Sequence, residues 1–329
     1  MRPGYNSRVP ETRPPILVLA GPTASGKTAC ALAVARALGG ELVGADSVQV
    51  YRGFDIGAAK PTAEELGGVP HHLIDVLDPD ELVDAMGYAE MADRAIAGVA
   101  SRGKLPIVVG GTGLWLRALV RGLVDVPPVD RALRARLESE AEAHGSDELH
   151  ARLVEVDPLA AARIHPNDAV RIVRALEVFE QTGRPMGELR AEHALGAPRY
   201  GALFVVLDVP KDTLAERIAH RTRAMIDADW ADEVRGLAER WGTSIRALGS
   251  VGYSEMVAHV QDGVPIDETE RRIVKSTRAY ARRQQTWFRS EPGIGWRPRP
   301  DEVAAPAGLE KIAAWWRGSS PDAGRAETW

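Results

Sequence analysis

Residues 21–28 read GPTASGKT and match the G-x-x-x-x-G-K-[ST] pattern of a phosphate-binding loop. The glycines let backbone N–H groups curl around phosphate oxygens, Lys27 neutralises phosphate charge, and the Thr28 hydroxyl can ligate Mg²⁺. The pattern predicts a diphosphate site made by eight residues: Gly21, Pro22, Thr23, Ala24, Ser25, Gly26, Lys27 and Thr28. It does not identify the reaction, because kinases, hydrolases and transferases all use this loop.

Asp46 opens a second candidate segment, DSVQVYRGFDIGAAKPT, directly after the apolar run ELVGA. Ligand sites in open α/β sheets lie at the carboxyl ends of strands, so Asp46 is predicted to lie beside the phosphate loop. Three roles remain open for it: holding Mg²⁺ through water, acting as a general base, or capping a helix. Farther along, Lys60 is either a solvated charge or a second phosphate contact, and the sequence favours the solvated charge. The adjacent His71 and His72, which precede a strand-like LIDV, are interpreted as structural residues rather than metal ligands.

A basic stripe is predicted near the end of the chain, between Arg271 and Arg289. At helical spacing, cations separated by four, three and four residues share one face: Arg271, Lys275, Arg278 and Arg282. The apolar residues of the same stretch fall largely on the other side and can pack inward: Ile273, Val274, Tyr280, Trp287 and Phe288. Such a stripe suits contact with RNA phosphates, and the alternative is a solvated charged face.

The elements that position these residues are short apolar runs alternating with helical patterns. Runs at 16–20, 41–45, 105–110 and 203–208 lack polar alternation, as buried parallel strands do. Strands separated by helices indicate an α/β fold with a parallel sheet. We predict core segments at 15–122 and 201–316, an all-helical insertion at 123–200, and disordered tails at 1–14 and 317–329. The insertion brings further positive charge, on Arg131, Arg134, Arg163, Arg171 and Arg174.

Composition limits the remaining possibilities. The 329 residues are 45% hydrophobic and 26% charged, which is typical of a globular protein, and no run approaches the roughly 18 apolar residues of a membrane helix. We therefore expect a cytoplasmic protein that does not bind membranes and acts as a monomer. A single cysteine, Cys30, excludes an internal disulfide and a multi-cysteine zinc site and is interpreted as core packing. The net charge of −5 argues weakly against nucleic acid, but local patches decide such binding.

Several motifs in a fixed order resemble one family: GPTASGKT, DSVQVYRGFDIGAAKPT, PHHLIDV, PIVVGGTGLWLRAL, RIHPNDAVRIVRALEV and TRAYARRQQTWFR. Together they resemble the bacterial tRNA dimethylallyltransferase (IPP transferase) family, over about residues 16–289. The resemblance implies a P-loop NTPase-like core with a helical insertion. It also implies Mg²⁺-dependent transfer of a dimethylallyl group from dimethylallyl diphosphate to N6 of adenine 37, beside the anticodon of tRNA, with release of diphosphate.

The resemblance also assigns roles to residues. Asp46 would assist the adenine amine, Arg221 would reach the diphosphate, and Thr28 would bind the metal and contribute to catalysis. Contacts with tRNA are implied for Asp46, Ser47, Val48, Gln49, Thr112, Arg134, Val170, Arg171, Ile172, Val173, Arg174, Thr277, Arg278, Arg282, Arg283 and Gln284. Gly110 and Gly111 are interpreted as letting the RNA backbone approach closely.

Three rival functions are compatible with parts of this pattern. An adenylate isopentenyltransferase would prenylate a free nucleotide, but the helical insertion and the basic stripe favour a macromolecular acceptor. A P-loop small-molecule kinase or ATPase would consume ATP and need no RNA. An RNA-binding module with a nucleotide-sensing loop would show no turnover.

Overall fold

A five-stranded parallel sheet forms the core of the larger of two compact units. The structure is a computed structural model that describes residues 13–194 and 197–319. The strands are β1 Ile16–Ala20, β2 Gly40–Ala45, β3 His71–His72, β4 Leu105–Gly110 and β5 Ala202–Val206. Their spatial order is β3-β2-β4-β1-β5, with Leu17 opposite Ile107 and Ile16 opposite Ala202. Every residue of β1, β2 and β4 is buried, as expected for strands covered on both faces. The predicted α/β fold with a parallel sheet is confirmed.

The third strand differs from the predicted one. We expected LIDV, residues 73–76, to be strand-like, but the strand consists of His71 and His72, paired with Leu42 and Val43. Leu73 and Asp75 adopt positive φ angles of 62° and 55°, which end the strand in a turn. The apolar pattern did not reveal this turn because neither residue is a glycine.

Four helices lie in the first part of the sheet unit: α1 Lys27–Leu38, α2 Ala63–Leu66, α3 Ala85–Ser101 and α4 Gly113–Arg121. Helix α1 starts directly after the phosphate loop and ends at Gly39, which adopts a left-handed conformation. Its apolar residues pack on the sheet, so the sheet core fixes the start of the helix and with it the loop.

A separate compact unit, Gly122–Pro198, contains helices joined by loops and no strand among its described residues. Its helices are α5 Arg131–His144, α6 Ser146–Val156, α7 Pro158–Ala161, α8 Ala169–Thr182 and α9 Met186–Ala194. Leu137, Leu153 and Leu176 belong to its own hydrophobic core and are fully buried. Asp157 caps α7 through the backbone N–H of Ala160.

The chain then returns to the sheet unit, which also contains residues up to Arg121. The remaining helices are α10 Lys211–Asp227, α11 Trp230–Trp241, α12 Tyr253–Asp262, α13 Ile266–Ser290, α14 Pro300–Ala304 and α15 Pro306–Ser319, with a short 3₁₀ helix at Arg246–Gly249. Among the described helices, none combines the length and apolar character that a membrane crossing requires.

The predicted tails are shorter than expected at both ends. Arg13 donates to the Asp93 carboxylate at 3.0 Å and lies over the Tyr200 ring, and α15 continues to Ser319. The other residues of the predicted tails, 1–12 and 320–329, lie outside the described residues; Pro14 is described, without regular secondary structure.

Candidate active site

The phosphate loop connects β1 to α1 and curls through two left-handed residues, Ala24 at φ 62° and Gly26 at φ 85°. The N–H of Ser25 donates to the carbonyl of Pro22 at 3.2 Å and closes the turn. A cavity of about 820 Å³ lies over the loop, and helix α10 forms its other wall with Arg217, His220 and Arg221. The loop therefore faces a second wall that carries two guanidinium groups.

Two cations and one carboxylate share this site. Burial lowers the pKa of Lys27 to about 8, Asp46 opposes that shift, and Arg221 adds to it. Desolvation also lowers the pKa of Arg221, again with Asp46 opposing. The Nη2 of Arg221 donates to Thr23 Oγ1 at 2.5 Å, which binds the α10 wall to the loop. This concentration of positive charge suits a diphosphate group.

Arg217 is a further cation at the loop that the sequence did not single out. Its Nη1 lies 3.4 Å from the carbonyl oxygen of Ser25. It precedes Arg221 by one helical turn, so spacing along α10 could have revealed it.

Asp46 follows β2 and organises its own loop. Its Oδ1 accepts the N–H groups of Val48 at 2.9 Å and Gln49 at 3.3 Å. Ser47 N–H donates to Thr112 Oγ1 at 3.2 Å, and Thr112 N–H donates to Ala45 at 3.3 Å. Among the described residues, Asp46 Oδ2 accepts no hydrogen bond. Residues 47–50 form a turn and not a helix, so Asp46 does not cap a helix. Its Oδ1 holds this turn, and the other oxygen remains available to a substrate.

The loop after Asp46 is anchored by charged side chains, of which Lys60 is buried. Lys60 pairs with Asp55 at 2.8 Å and with Asp75, and its side chain is only 6% exposed. The prediction that Lys60 is a solvated charge is wrong, because its ammonium satisfies carboxylates within the protein. Glu233 of α11 accepts backbone N–H groups of this loop, among them Ile56 at 2.6 Å. No sequence pattern indicates this role of Glu233, which lies 177 residues from Ile56.

The two adjacent histidines form β3, which pairs with β2. His72 Nε2 lies 2.7 Å from Glu41, which Arg102 also contacts through two nitrogens. The hydrogen bond from Arg102 is the main reason that the pKa of Glu41 falls to about 2. Burial lowers the pKa of His71 to about 4. Within the described residues, no cluster of three His, Cys, Asp or Glu side chains is arranged to hold a metal.

Cys30 is buried, and burial raises its thiol pKa to about 12, which agrees with core packing.

Helix α13 carries the predicted basic stripe, and all four cations are exposed. They line a shallow groove of about 700 Å³ together with Val274, Asp267 and Glu270. Arg271 pairs with Glu268 at 3.5 Å, and Arg278 contacts the carbonyl of Ala215 at 3.4 Å. Lys275 and Arg282 have no ion pair within the described part of the chain. On the opposite face Ile273 and Phe288 are buried, as predicted.

Thr277 and Gln284 of the same helix are buried rather than exposed, at 9% and 7%. Gln284 Oε1 accepts the N–H of Thr23 at 2.8 Å, and Gln284 Nε2 donates to Gly111 at 3.0 Å. The prediction that these side chains offer a tRNA contact is corrected, because they face the protein. Arg283, between the two faces, is exposed.

The glycines after β4 are explained by packing within the chain. A Cβ on Gly110 would stand 2.1 Å from the carbonyl oxygen of Ala45, and one on Gly111 would stand 2.4 Å from Gln284 Nε2. The interpretation that they admit an RNA backbone is wrong, since the protein itself fills both positions.

In the helical unit, the segment predicted to bind tRNA has two faces. Val170 and Arg171 are exposed, whereas Ile172 and Val173 are buried at 0% and 2%. The prediction is corrected for Ile172 and Val173, whose side chains pack the hydrophobic core.

Two arginines of the helical unit share one buried carboxylate. Arg134 lies 2.7 Å and Arg174 lies 3.1 Å from Glu177, which is fully buried. Their charges are thus partly neutralised within the unit, and Arg171, paired with Asp168 at 3.2 Å, is the more exposed cation.

Comparison with known proteins shows the family. A family model described as IPP transferase matches residues 49–291. The chain belongs to the IPP transferase family. Among its relatives, a tRNA dimethylallyltransferase of Anaeromyxobacter dehalogenans is 51% identical over 290 residues, 88% of this chain and 95% of that protein. One from Geobacter sulfurreducens is 45% identical over 91% of this chain and 94% of that protein.

Solved structures of IPP transferases share the fold. A tRNA isopentenylpyrophosphate transferase from Bacillus halodurans has a TM-score of 0.67 and 34% identity, covering 94% of this chain and 98% of that one. A eukaryotic dimethylallyltransferase, crystallised acting on tRNA, has a TM-score of 0.74 at 24% identity, over 96% of this chain and 87% of that one, and supports the fold alone.

Proposed function

We propose that this IPP transferase moves a dimethylallyl group from dimethylallyl diphosphate to N6 of adenine 37 in the anticodon stem-loop of tRNA, releasing diphosphate. The observation that carries the proposal is the placement of Asp46 within the electrostatic influence of Lys27 and Arg221 at the phosphate loop. A carboxylate for the acceptor amine and cations for the leaving diphosphate thus occupy one site. The names of the relatives agree with this chemistry.

The leaving group needs stabilisation as the allylic carbon–oxygen bond breaks, because charge builds on the diphosphate. Lys27, Arg221 and the loop N–H groups provide fixed positive charge at that place, before the reaction begins. Thr23 is held by Arg221 and cannot turn its hydroxyl freely, so the loop keeps its shape.

The acceptor amine is a weak nucleophile, because its lone pair is delocalised into the adenine ring. A new bond forms between N6 and the allylic carbon while the carbon–oxygen bond breaks, and N6 must then lose a proton. We propose that Asp46 Oδ2 accepts a hydrogen bond from N6 and then takes the N6 proton. Oδ1 meanwhile keeps its hydrogen bonds from the N–H groups of Val48 and Gln49.

The residues at the loop fit a Mg²⁺ ion carried by the diphosphate. Thr28 lies in the first turn of α1 and lines the cavity, which is where a phosphate-bound ion needs a protein oxygen. Since the described residues form no carboxylate cluster for a metal, the other ligands would be diphosphate oxygens and water. When bound, the ion would neutralise charge on the leaving group.

In the sheet unit we propose tRNA contacts on Ser47, on Thr112 and on the exposed face of α13, which carries Arg271, Lys275, Arg278, Arg282 and Arg283. In the helical unit we propose contacts at Val170, at Arg171 and at the arginines beside Glu177. We further propose that the protein works as a monomer in the cytoplasm, which sedimentation of the free protein and of its tRNA complex would test. A stoichiometry of two chains per tRNA would contradict the monomer.

Incubation with Mg²⁺, radiolabelled dimethylallyl diphosphate and either tRNA lacking the modification or AMP, in parallel reactions, tests the reaction. We expect label on N6 of adenosine 37, and none with Lys27→Ala. Labelled AMP with unlabelled tRNA would establish the adenylate isopentenyltransferase instead. Folded protein that labels neither acceptor would refute prenyl transfer, and ATP turnover would then identify a kinase or ATPase.

A further inference from the structure

The polar side chain of Gln284 lies where two loops of the active site meet. It belongs to α13, the helix with the basic stripe, but it is 7% exposed and both atoms of its amide are engaged within the protein. Oε1 accepts from Thr23 of the phosphate loop at 2.8 Å, and Nε2 donates to the carbonyl of Gly111 at 3.0 Å. At this exposure the amide offers little surface that an RNA group could reach.

The contacts of Thr23 show what Gln284 does for the phosphate loop. Its backbone N–H is held by Gln284 from α13, and its hydroxyl is held by Arg221 from α10 at 2.5 Å. Two helices thus hold Thr23, α13 through its backbone N–H and α10 through its side-chain hydroxyl. Because the other loop N–H groups must point at phosphate oxygens, fixing Thr23 limits the conformations that the empty loop can adopt.

The packing around Gly111 also indicates that Gln284 fixes the phosphate loop. A Cβ there would stand 2.4 Å from Gln284 Nε2 and 3.1 Å from the carbonyl oxygen of Gly21, the first residue of the phosphate loop. The segment after β4, the phosphate loop and α13 therefore meet with no room for a side chain other than Gln284. We infer that Gln284 is a positioning residue for the diphosphate site and not a tRNA contact, an inference that rests on the proposed function.

The test is the pair Gln284→Met and Gln285→Met. Methionine keeps the length of the side chain and removes both hydrogen bonds. Gln285 is the adjacent glutamine of α13, and its side chain forms no hydrogen bond with the described residues. Binding of Mg²⁺-diphosphate is measured by calorimetry, and binding of unmodified tRNA by fluorescence anisotropy. For Gln284→Met we expect about tenfold weaker diphosphate binding and a tRNA Kd within about twofold of the original. For Gln285→Met we expect neither to change by more than about twofold.

A tRNA Kd that rises as much as the diphosphate Kd, or an unchanged diphosphate Kd, would overturn the inference. Gln284→Glu provides a second measurement in case the methionine variant does not fold. A carboxylate keeps the acceptor for Thr23 but sets an oxygen against the Gly111 carbonyl, so diphosphate binding should weaken. The loss relative to the original protein at the same pH should shrink at acidic pH, when the acid can donate. A loss in Gln284→Glu without recovery at low pH would count against the inference.

Neither binding measurement requires the enzyme to turn over. A wild-type protein that binds diphosphate but does not prenylate tRNA would refute the proposed function and leave the comparison of variants valid. A wild-type protein that binds no diphosphate would refute both.

Discussion

The protonation of Lys27 should control how tightly the free protein binds dimethylallyl diphosphate. Burial lowers the pKa of this ammonium to about 8, so the residue loses its charge at a pH where ordinary lysines remain fully charged. Only the charged form can pair with the diphosphate. Affinity should therefore be full below pH 8 and fall as the pH rises through that value.

The size of the effect follows from the pKa. At pH 7 about nine tenths of the Lys27 side chains are charged, and at pH 9 about one tenth, so the apparent Kd should rise about tenfold between these values. Bound diphosphate stabilises the ammonium and raises its pKa again, so binding at pH 9 should take up close to one proton per ligand. Phosphate monoesters lose their last proton near pH about 6, so the ligand itself does not titrate in this window.

Calorimetry with an unreactive dimethylallyl diphosphate analogue measures both quantities. Binding heats in buffers with different ionisation enthalpies give the number of protons taken up. Lys27→Arg is the matched control, because a guanidinium stays charged to above pH about 12. A Kd of the original protein that stays constant from pH 7 to 9, or equal heats in all buffers at pH 9, would refute the reasoning. So would the same pH dependence in Lys27→Arg.

Three further predictions concern other parts of the chain. Asp46→Asn should lower kcat at least about 100-fold and leave the tRNA Kd within about twofold; equal losses would make Asp46 a binding residue. Ile172→Ala should destabilise the helical unit by about 2–5 kcal/mol in urea unfolding, whereas Val170→Ala, at an 80% exposed position, should change it by less than about 0.5. Because the pKa of Glu41 lies near 2, its pairing stabilises the fold above pH 4.5 and is lost as the pH falls toward 2. Glu41→Gln should therefore flatten the acid limb of a stability–pH curve in that window, and an unchanged limb would contradict the assignment.

Local patterns in the sequence were sufficient for the elements that carry the site. The apolar runs predicted four of the five strands, and the match at 21–28 predicted a loop between strand and helix, because both depend on neighbours in the chain. The helical spacing of Arg271 to Arg282 placed four cations on one exposed face for the same reason. The chemistry of a diphosphate site could be predicted with these elements.

Side chains that hold the site together could not be predicted, because their partners are distant in sequence. Gln284 and Thr23 are 261 residues apart, and Glu233 and Ile56 are 177 apart. A periodic pattern states which face a residue occupies but not what covers that face. Lys60 was misinterpreted for this reason, since only the folded chain brings Asp75 next to Asp55.

Hydrogen bonds within the protein hold the residues around the phosphate loop in place, and this explains how the fold can support a displacement reaction. The nucleophile, the carbon and the leaving oxygen must lie in line, and a misplacement of about 1 Å can cost about 100-fold in rate. Asp46 is fixed by its own loop, Thr23 by two helices, and the Asp46 loop by Thr112, so the groups that meet the two substrates are held by hydrogen bonds that neither substrate has to form. Substrate binding energy can then offset the entropy that the two reactants lose when they are brought together. Removing one of these anchors should therefore lower kcat even where it contacts neither substrate, which distinguishes a positioning residue from a purely structural one.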